Sequence, residues 1–141
     1  MKRLFVLTLV VVTVGLFGAN GYWQTVAGQA KAPPGGEYKK VSSLVQLPDF
    51  LPGLGTLYVV PSTLPVGPFL AYDRDGTLVS SVYMIPIKDI DAHKKFDNLN
   101  VAREKVDHVD MYYNAGHPGV EEPHYHVILW HVANGDERVA K

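Results

Sequence analysis

The chain has 141 residues, 47% of them hydrophobic and 19% charged, and a formal net charge of -1 with histidine neutral. That length suits one domain with a core, and the balance excludes a disordered tail or a polar low-complexity tract. No lysine or arginine run offers the counterion release that drives nucleic-acid binding, and the absence of cysteine excludes disulfides, thiolate ligands and thiol nucleophiles.

Residues 1–21 read as an address. Lys2 and Arg3 open the chain, Leu4 to Phe17 form an apolar run broken only by Thr8, Thr13 and Gly15, and small residues follow at Gly18, Ala19 and Gly21. The run falls short of the roughly 20 residues of a spanning helix. A secretory signal peptide over 1–21 is therefore expected, cleaved after Gly21 rather than kept as an anchor, and with it a periplasmic or extracellular location. An uncleaved segment would be the only membrane contact. Cleavage removes Lys2 and Arg3 and no acid, leaving 11 basic and 14 acidic residues, a net charge of -3. Residues 22–37, with "AGQAKAPPGGE" at their end, are expected to be a flexible lead, and 38–141 a single β-rich domain.

From Leu47 to Pro68, five prolines and three glycines break the chain into short extended pieces, with "TLYVV" as the best strand. "PFLAYDRDGTLVSSVYMIP" reads as a hairpin turning at Asp75 and Gly76. The charged stretch "KDIDAHKKFDNLNVAREKV" predicts one or two short surface helices, with Asp89 as a cap and a second start at Asn98 or Asn100. His93, which has no second histidine within a helical turn, reads as a solvated surface residue.

Two strands close the chain. "VDHVDMYY" alternates Val109, Met111 and Tyr113 with His108, Asp110 and Tyr112; "HYHVILWHV" alternates Tyr125, Val127 and Leu129 with His124, His126, Ile128 and Trp130. Asn114 to Pro123 is long enough for a wide connection, with Gly116, Pro118, Gly119 and Pro123 as its bends. Pairing apolar side against apolar side gathers His108, Asp110, Tyr112, His124 and His126 on the reverse side. The fold expected is mainly β with short helical segments, a single antiparallel sheet or a small barrel or sandwich-like domain, with α+β as the alternative.

Imidazoles two apart on one strand can converge on an ion, while a cross-strand neighbour and a loop residue complete the set. The expected metal ligands are His124 and His126, then His117 and His108, with Glu121 or Glu122 as a carboxylate from the loop. The ion expected first is zinc, in a set compatible with other divalent transition metals. Asp110 is expected behind a ligand, accepting its other ring N–H, with Tyr112 beside it. His131 points the other way and reads as structural. The competing reading is a hydrogen-bonded polar network at a subunit contact. Cupin metal motifs also begin with HxH, but a glutamate follows the pair there, and here Val127 to Trp130 follow.

"GTLYVVP", "AYDRDGTLVSSVYMIP" and "VDMYYNAGHPGVEEPHYH" together resemble an uncharacterised family of small exported bacterial proteins with a Gly-His-Pro and then a Pro-His motif, matched here by Gly116, His117, Pro118, Pro123 and His124. One member is described in thermophilic bacteria under an extracytoplasmic-function sigma factor and is associated with a ring-shaped homo-oligomer. Where this chain has His126 and Ile128, many members have an acid and a histidine. The resemblance implies export, a β-rich fold, stress regulation and homo-oligomerisation, and supplies no reaction. The functional expectation is an exported cell-envelope protein, homo-oligomeric, structural or binding in role, with a histidine-rich polar site. The alternative is a transition-metal-binding protein or metal-dependent enzyme using that site. No serine–histidine–aspartate or phosphate-loop signature competes.

Overall fold

The β-favouring runs build a six-stranded antiparallel sheet in the order β1-β2-β3-β4-β6-β5 in a computed structural model that describes residues 29–141. The strands are β1 (Lys39–Lys40), β2 (Thr56–Val59), β3 (Phe69–Tyr72), β4 (Leu78–Pro86), β5 (His108–Asn114) and β6 (His124–Trp130). The sheet is single and open rather than closed into a barrel, with β1 and β5 at its edges. Among the described residues two five-residue helices accompany it, α1 (Ile87–Asp91) and α2 (Gly135–Val139). Among the described residues no helix is long and apolar enough to cross a membrane. The expected signal segment, 1–21, and residues 22–28 of the expected lead lie outside the described residues.

Residues 29–32 of that lead are held by hydrogen bonds to the sheet. Ala32 N–H donates to Gly76 O at 2.8 Å, Leu78 N–H donates to Ala30 O at 3.1 Å, and the Tyr72 hydroxyl donates to Gln29 O at 2.7 Å. These bonds lay residues 29–32 along the β3–β4 turn. The turn itself is organised by Asp73, whose Oδ1 accepts the backbone N–H groups of Asp75 and Thr77 at 3.0 and 2.8 Å. Its other oxygen accepts from the Arg138 guanidinium of α2, which ties the C-terminal helix to the hairpin.

The charged stretch after β4 differs from expectation. Pro86 rather than Asp89 caps α1, because the helix begins directly where β4 ends. Asp89 lies in the first turn, where a negative charge complements the helix dipole, and it pairs with Lys94 at 2.8 Å. No second helix starts at Asn98 or Asn100. Asn98 sits at a φ of 56, and the chain instead runs irregularly, with Ala102 tucked in at 4% exposure and Asn100 O accepting the Tyr83 hydroxyl.

Register decides which side chains share a face. β5 and β6 pair as Val109↔Leu129, Met111↔Val127, Tyr112↔His126 and Tyr113↔Tyr125, the pairing that sets apolar side against apolar side. The inner face of the sheet carries Leu57, Val59, Phe69, Ala71, Val82, Met84, Ile128 and Trp130 under a cover of Val41, Val45, Leu47, Leu51, Val120 and Val139. Each large apolar side chain buried there contributes about 1.5–3 kcal/mol. His124 and His126 occupy this inner face as well, 0% and 1% exposed. The apolar side of β5 therefore faces outward, with Val109, Met111 and Tyr113 more than half exposed.

Candidate metal centre

The centre begins with β6. His124 and His126 are two residues apart in a strand, so both rings leave the same face, and their Nε2 atoms lie 2.9 Å apart. The loop between β5 and β6 supplies the third ring. His117 and Val120 exchange two backbone hydrogen bonds, each 2.9 Å, around Pro118 and Gly119. Pro118 suits the second position of such a turn, and Gly119, at a φ of +88, suits the third, where left-handed backbone favours glycine. Val120 is buried in the core and anchors this turn over the sheet. Closure behind it needs Gly116, since a Cβ there would come within 2.4 Å of Glu121 O. His117 Nε2 thereby arrives 3.3 Å from His126 Nε2.

Each ring is held by its other nitrogen. His124 Nδ1 donates to Glu122 O at 2.7 Å, and His117 Nδ1 donates to Pro118 O at 3.1 Å. Carbonyls only accept, so both rings carry their proton on Nδ1 and present a lone pair at Nε2. His126 Nδ1 lies 2.9 Å from the Tyr112 hydroxyl, a partner able to donate or accept. The three rings form a group whose ligating atoms all lie within 4.8 Å of one another, and such a group can hold a metal ion. Burial, followed by the charges of His124 and His117, pushes His126 down to about 4, so its ring is neutral at ordinary pH. Burial also raises the Tyr112 hydroxyl, which stays protonated.

The remaining residues read from the sequence are elsewhere. His108 stands six positions away from Asn114 along β5, its ring stacked on Trp130 at 6.0 Å and hydrogen-bonded to Asp107 at 2.9 Å. Glu121 is exposed, and Glu122 pairs with Lys88 at 2.5 Å. Neither carboxylate joins the histidine group; Glu122 contributes its carbonyl instead. Asp110 accepts from the Trp130 indole at 2.7 Å, not from a histidine; Trp130 and His126 are its two diagonal neighbours across the strands, and His126 is taken by Tyr112. Tyr112 is the residue that stands behind a histidine of the group, at Nδ1 of His126. His131 is structural, between Ser81 Oγ at 2.9 Å and Lys105 O at 3.1 Å.

Beside the histidines lies a cavity of about 320 Å³. Its walls are apolar, with Val41, Leu51, Leu54, Leu57, Phe69 and Val120 among them, and its polar lining includes Tyr112, Asn114, His117 and His126. Leu44 and Leu64, 42% and 45% exposed, also line it. Sequence reasoning missed this cavity because the segment from Val41 to Leu54 carries no periodic pattern that would place it over the sheet. It also missed the two carbonyls that orient His117 and His124, for which side-chain types give no signal.

No family model matches the chain, and no curated protein matches it. Among solved structures it is similar to the crystal structure of the hypothetical protein TTHB210 from Thermus thermophilus, with 46% identity and a TM-score of 0.60. That match covers 67% of this chain and 88% of the other.

Proposed function

We propose, for a chain that belongs to the family of the hypothetical protein TTHB210 and takes no activity from it, an exported metal-binding protein of the cell envelope. One divalent transition ion, zinc first, sits on Nε2 of His117, His124 and His126. A single observation carries this reading: three Nε2 atoms, on two buried rings and one partly buried ring, converge with too few protons among them. The protons of His117 and His124 are committed to carbonyls, so the shared space holds at most the one proton of a neutral His126. If that proton is on Nε2, it satisfies one neighbour and leaves the other lone pair unmatched. If it is on Nδ1, three lone pairs face each other. A cation resolves the deficit, and the depressed basicity of His126 makes a second proton a poor choice at neutral pH. Three imidazoles with an open fourth position are a known zinc arrangement, and each ring has an oriented partner at its far nitrogen.

The test is the metal content of protein purified without affinity tag or chelator. About one equivalent of a single transition metal, lost in the His124→Ala, His126→Ala double variant, is expected. Metal-free protein that also ignores added zinc and cobalt overturns the reading.

A second reading concerns assembly. Val109, Met111 and Tyr113 on edge strand β5 are 56%, 59% and 53% exposed, and a row of apolar side chains on an unpaired strand favours contact with another chain. The partner in this reading is a further copy of the same chain, the homo-oligomer that the family resemblance implies, and a stress-response role rests on that resemblance alone. Mass in solution tests it: a multimer is expected, and Met111→Asp should shift it toward the monomer. A monomeric wild-type chain overturns it.

A further inference from the structure

We infer that the cavity beside the three histidines binds a small carboxylate with a straight apolar tail, its head on the metal and its tail along the wall of Leu51, Leu54, Leu57 and Phe69. This rests on the metal reading above and adds the class of ligand.

Three observations carry it. The first is charge: the ligand set is three neutral imidazoles, and no carboxylate among the described residues joins it. A dication there keeps its full charge in a buried setting, which favours an anionic fourth ligand. The second is direction. His117 and His126 line the cavity and His124 does not, so a donor atom reaching the ion comes from the cavity side. Asn114 also lines the cavity, and its Oδ1 accepts Gly116 N–H at 2.9 Å, which leaves its amide nitrogen to donate to a carboxylate oxygen. The third is size and lining. A volume of about 320 Å³ corresponds to about ten waters at roughly 30 Å³ each, which matches a ligand of about ten heavy atoms. Its apolar walls stabilise a hydrocarbon chain and offer nothing to a sugar or a nucleotide.

The experiment uses the full zinc-loaded chain and calorimetric titration with straight-chain carboxylates from hexanoate to dodecanoate, with decyltrimethylammonium as the cationic control. Each added methylene should tighten binding roughly three- to fourfold until the cavity is filled between octanoate and decanoate. The ammonium should bind at least tenfold more weakly, and chelated protein should lose decanoate binding. Leu54→Trp, which fills part of the cavity and leaves all three histidines in place, should weaken decanoate at least tenfold while the protein keeps its equivalent of zinc. Leu44→Trp, at a half-exposed position, repeats the test without burden on the core. Zinc-loaded protein that ignores decanoate, or binds the cation equally well, overturns this inference alone. A chain that takes up no zinc overturns the metal reading and this inference together.

Discussion

Replacing Tyr112 by phenylalanine removes one oxygen and tests the centre without touching a ligand. With metal bound, His126 must offer the lone pair of Nε2 and carry its proton on Nδ1, 2.9 Å from the Tyr112 oxygen. In the metal-free Tyr112→Phe variant the ring has an alternative: the proton moves to Nε2 and points at His124 Nε2, 2.9 Å away. The metal-free form then loses little. Metal binding closes that alternative and forces a buried N–H to face a ring carbon. An unpaired buried donor costs about 1–3 kcal/mol, and the loss of such an orienting partner lowers metal affinity about 10–100-fold. The two figures agree, since about 1.4 kcal/mol is tenfold. Competition of zinc between the protein and a chromophoric chelator at neutral pH reads the affinity, and elemental analysis reads the stoichiometry. The expected outcome is one equivalent bound 10–100-fold more weakly. An affinity within twofold of the wild type would refute the proton assignment on which the centre is argued.

Other outcomes follow from the same geometry. His108→Ala and Glu121→Gln should each keep one equivalent of zinc with affinity changed less than threefold, because the first ring stacks on Trp130 and the second side chain is exposed; loss of metal in either would redraw the ligand set. In metal-free protein His126 is lowered from 6.5 to about 4, so the folded state binds its proton less readily than the unfolded chain. Stability is then full above about pH 6.5 and falls as pH drops toward 4, by about 3 kcal/mol from this group. Urea midpoints of chelated protein across that window should show the fall, and a flat profile would contradict it. Asp73→Ala strands two backbone N–H groups around a carboxylate only 4% exposed, while Arg138, 30% exposed, turns to water, so unfolding free energy should drop by about 2–4 kcal/mol, read from urea denaturation.

Much of this was legible in the residues. Alternation in "VDHVDMYY" and "HYHVILW" is enough to place two strands and to say which side chains share a face, because a one-residue slip would set apolar against polar, and the Asp75–Gly76 hairpin follows from turn chemistry. His124 and His126 were legible as a pair from their spacing on one strand, while His117 and His108 stood as equal candidates for the third ring. What was not legible depends on partners distant in sequence. His108 and Asp110 share the face of His126, yet Trp130, across from His108, takes both of them. Glu121 and Glu122 were near enough in sequence to be ligands, but the tight loop turns one outward and gives the other to Lys88. Neither outcome has a local signature.

Alternation also left open which side of the β5–β6 pair turns inward, and hydrophobicity alone points the wrong way. The apolar row of Val109, Met111 and Tyr113 ends outside, while histidines, an aspartate and a tyrosine lie on the inner face. Burying polar groups is unfavourable only when they go in unpaired. Here the buried groups of β6 meet polar partners on the exposed edge strand: His126 meets the Tyr112 hydroxyl directly across the ladder, and the Trp130 indole donates to Asp110 on a diagonal. With the polar groups matched to one another, Ile128 and Trp130 on the same side of β6 as the histidines can complete the core with Val82 and Met84 of β4. Turning the pair over would place Ile128 and Trp130 outside and leave the cover over β2 to β4 without partners. Complementary polar residues facing each other across two strands are therefore the feature to look for. Matched in this way, they mark an inner face on which three Nε2 nitrogens meet as a group that can hold a metal ion.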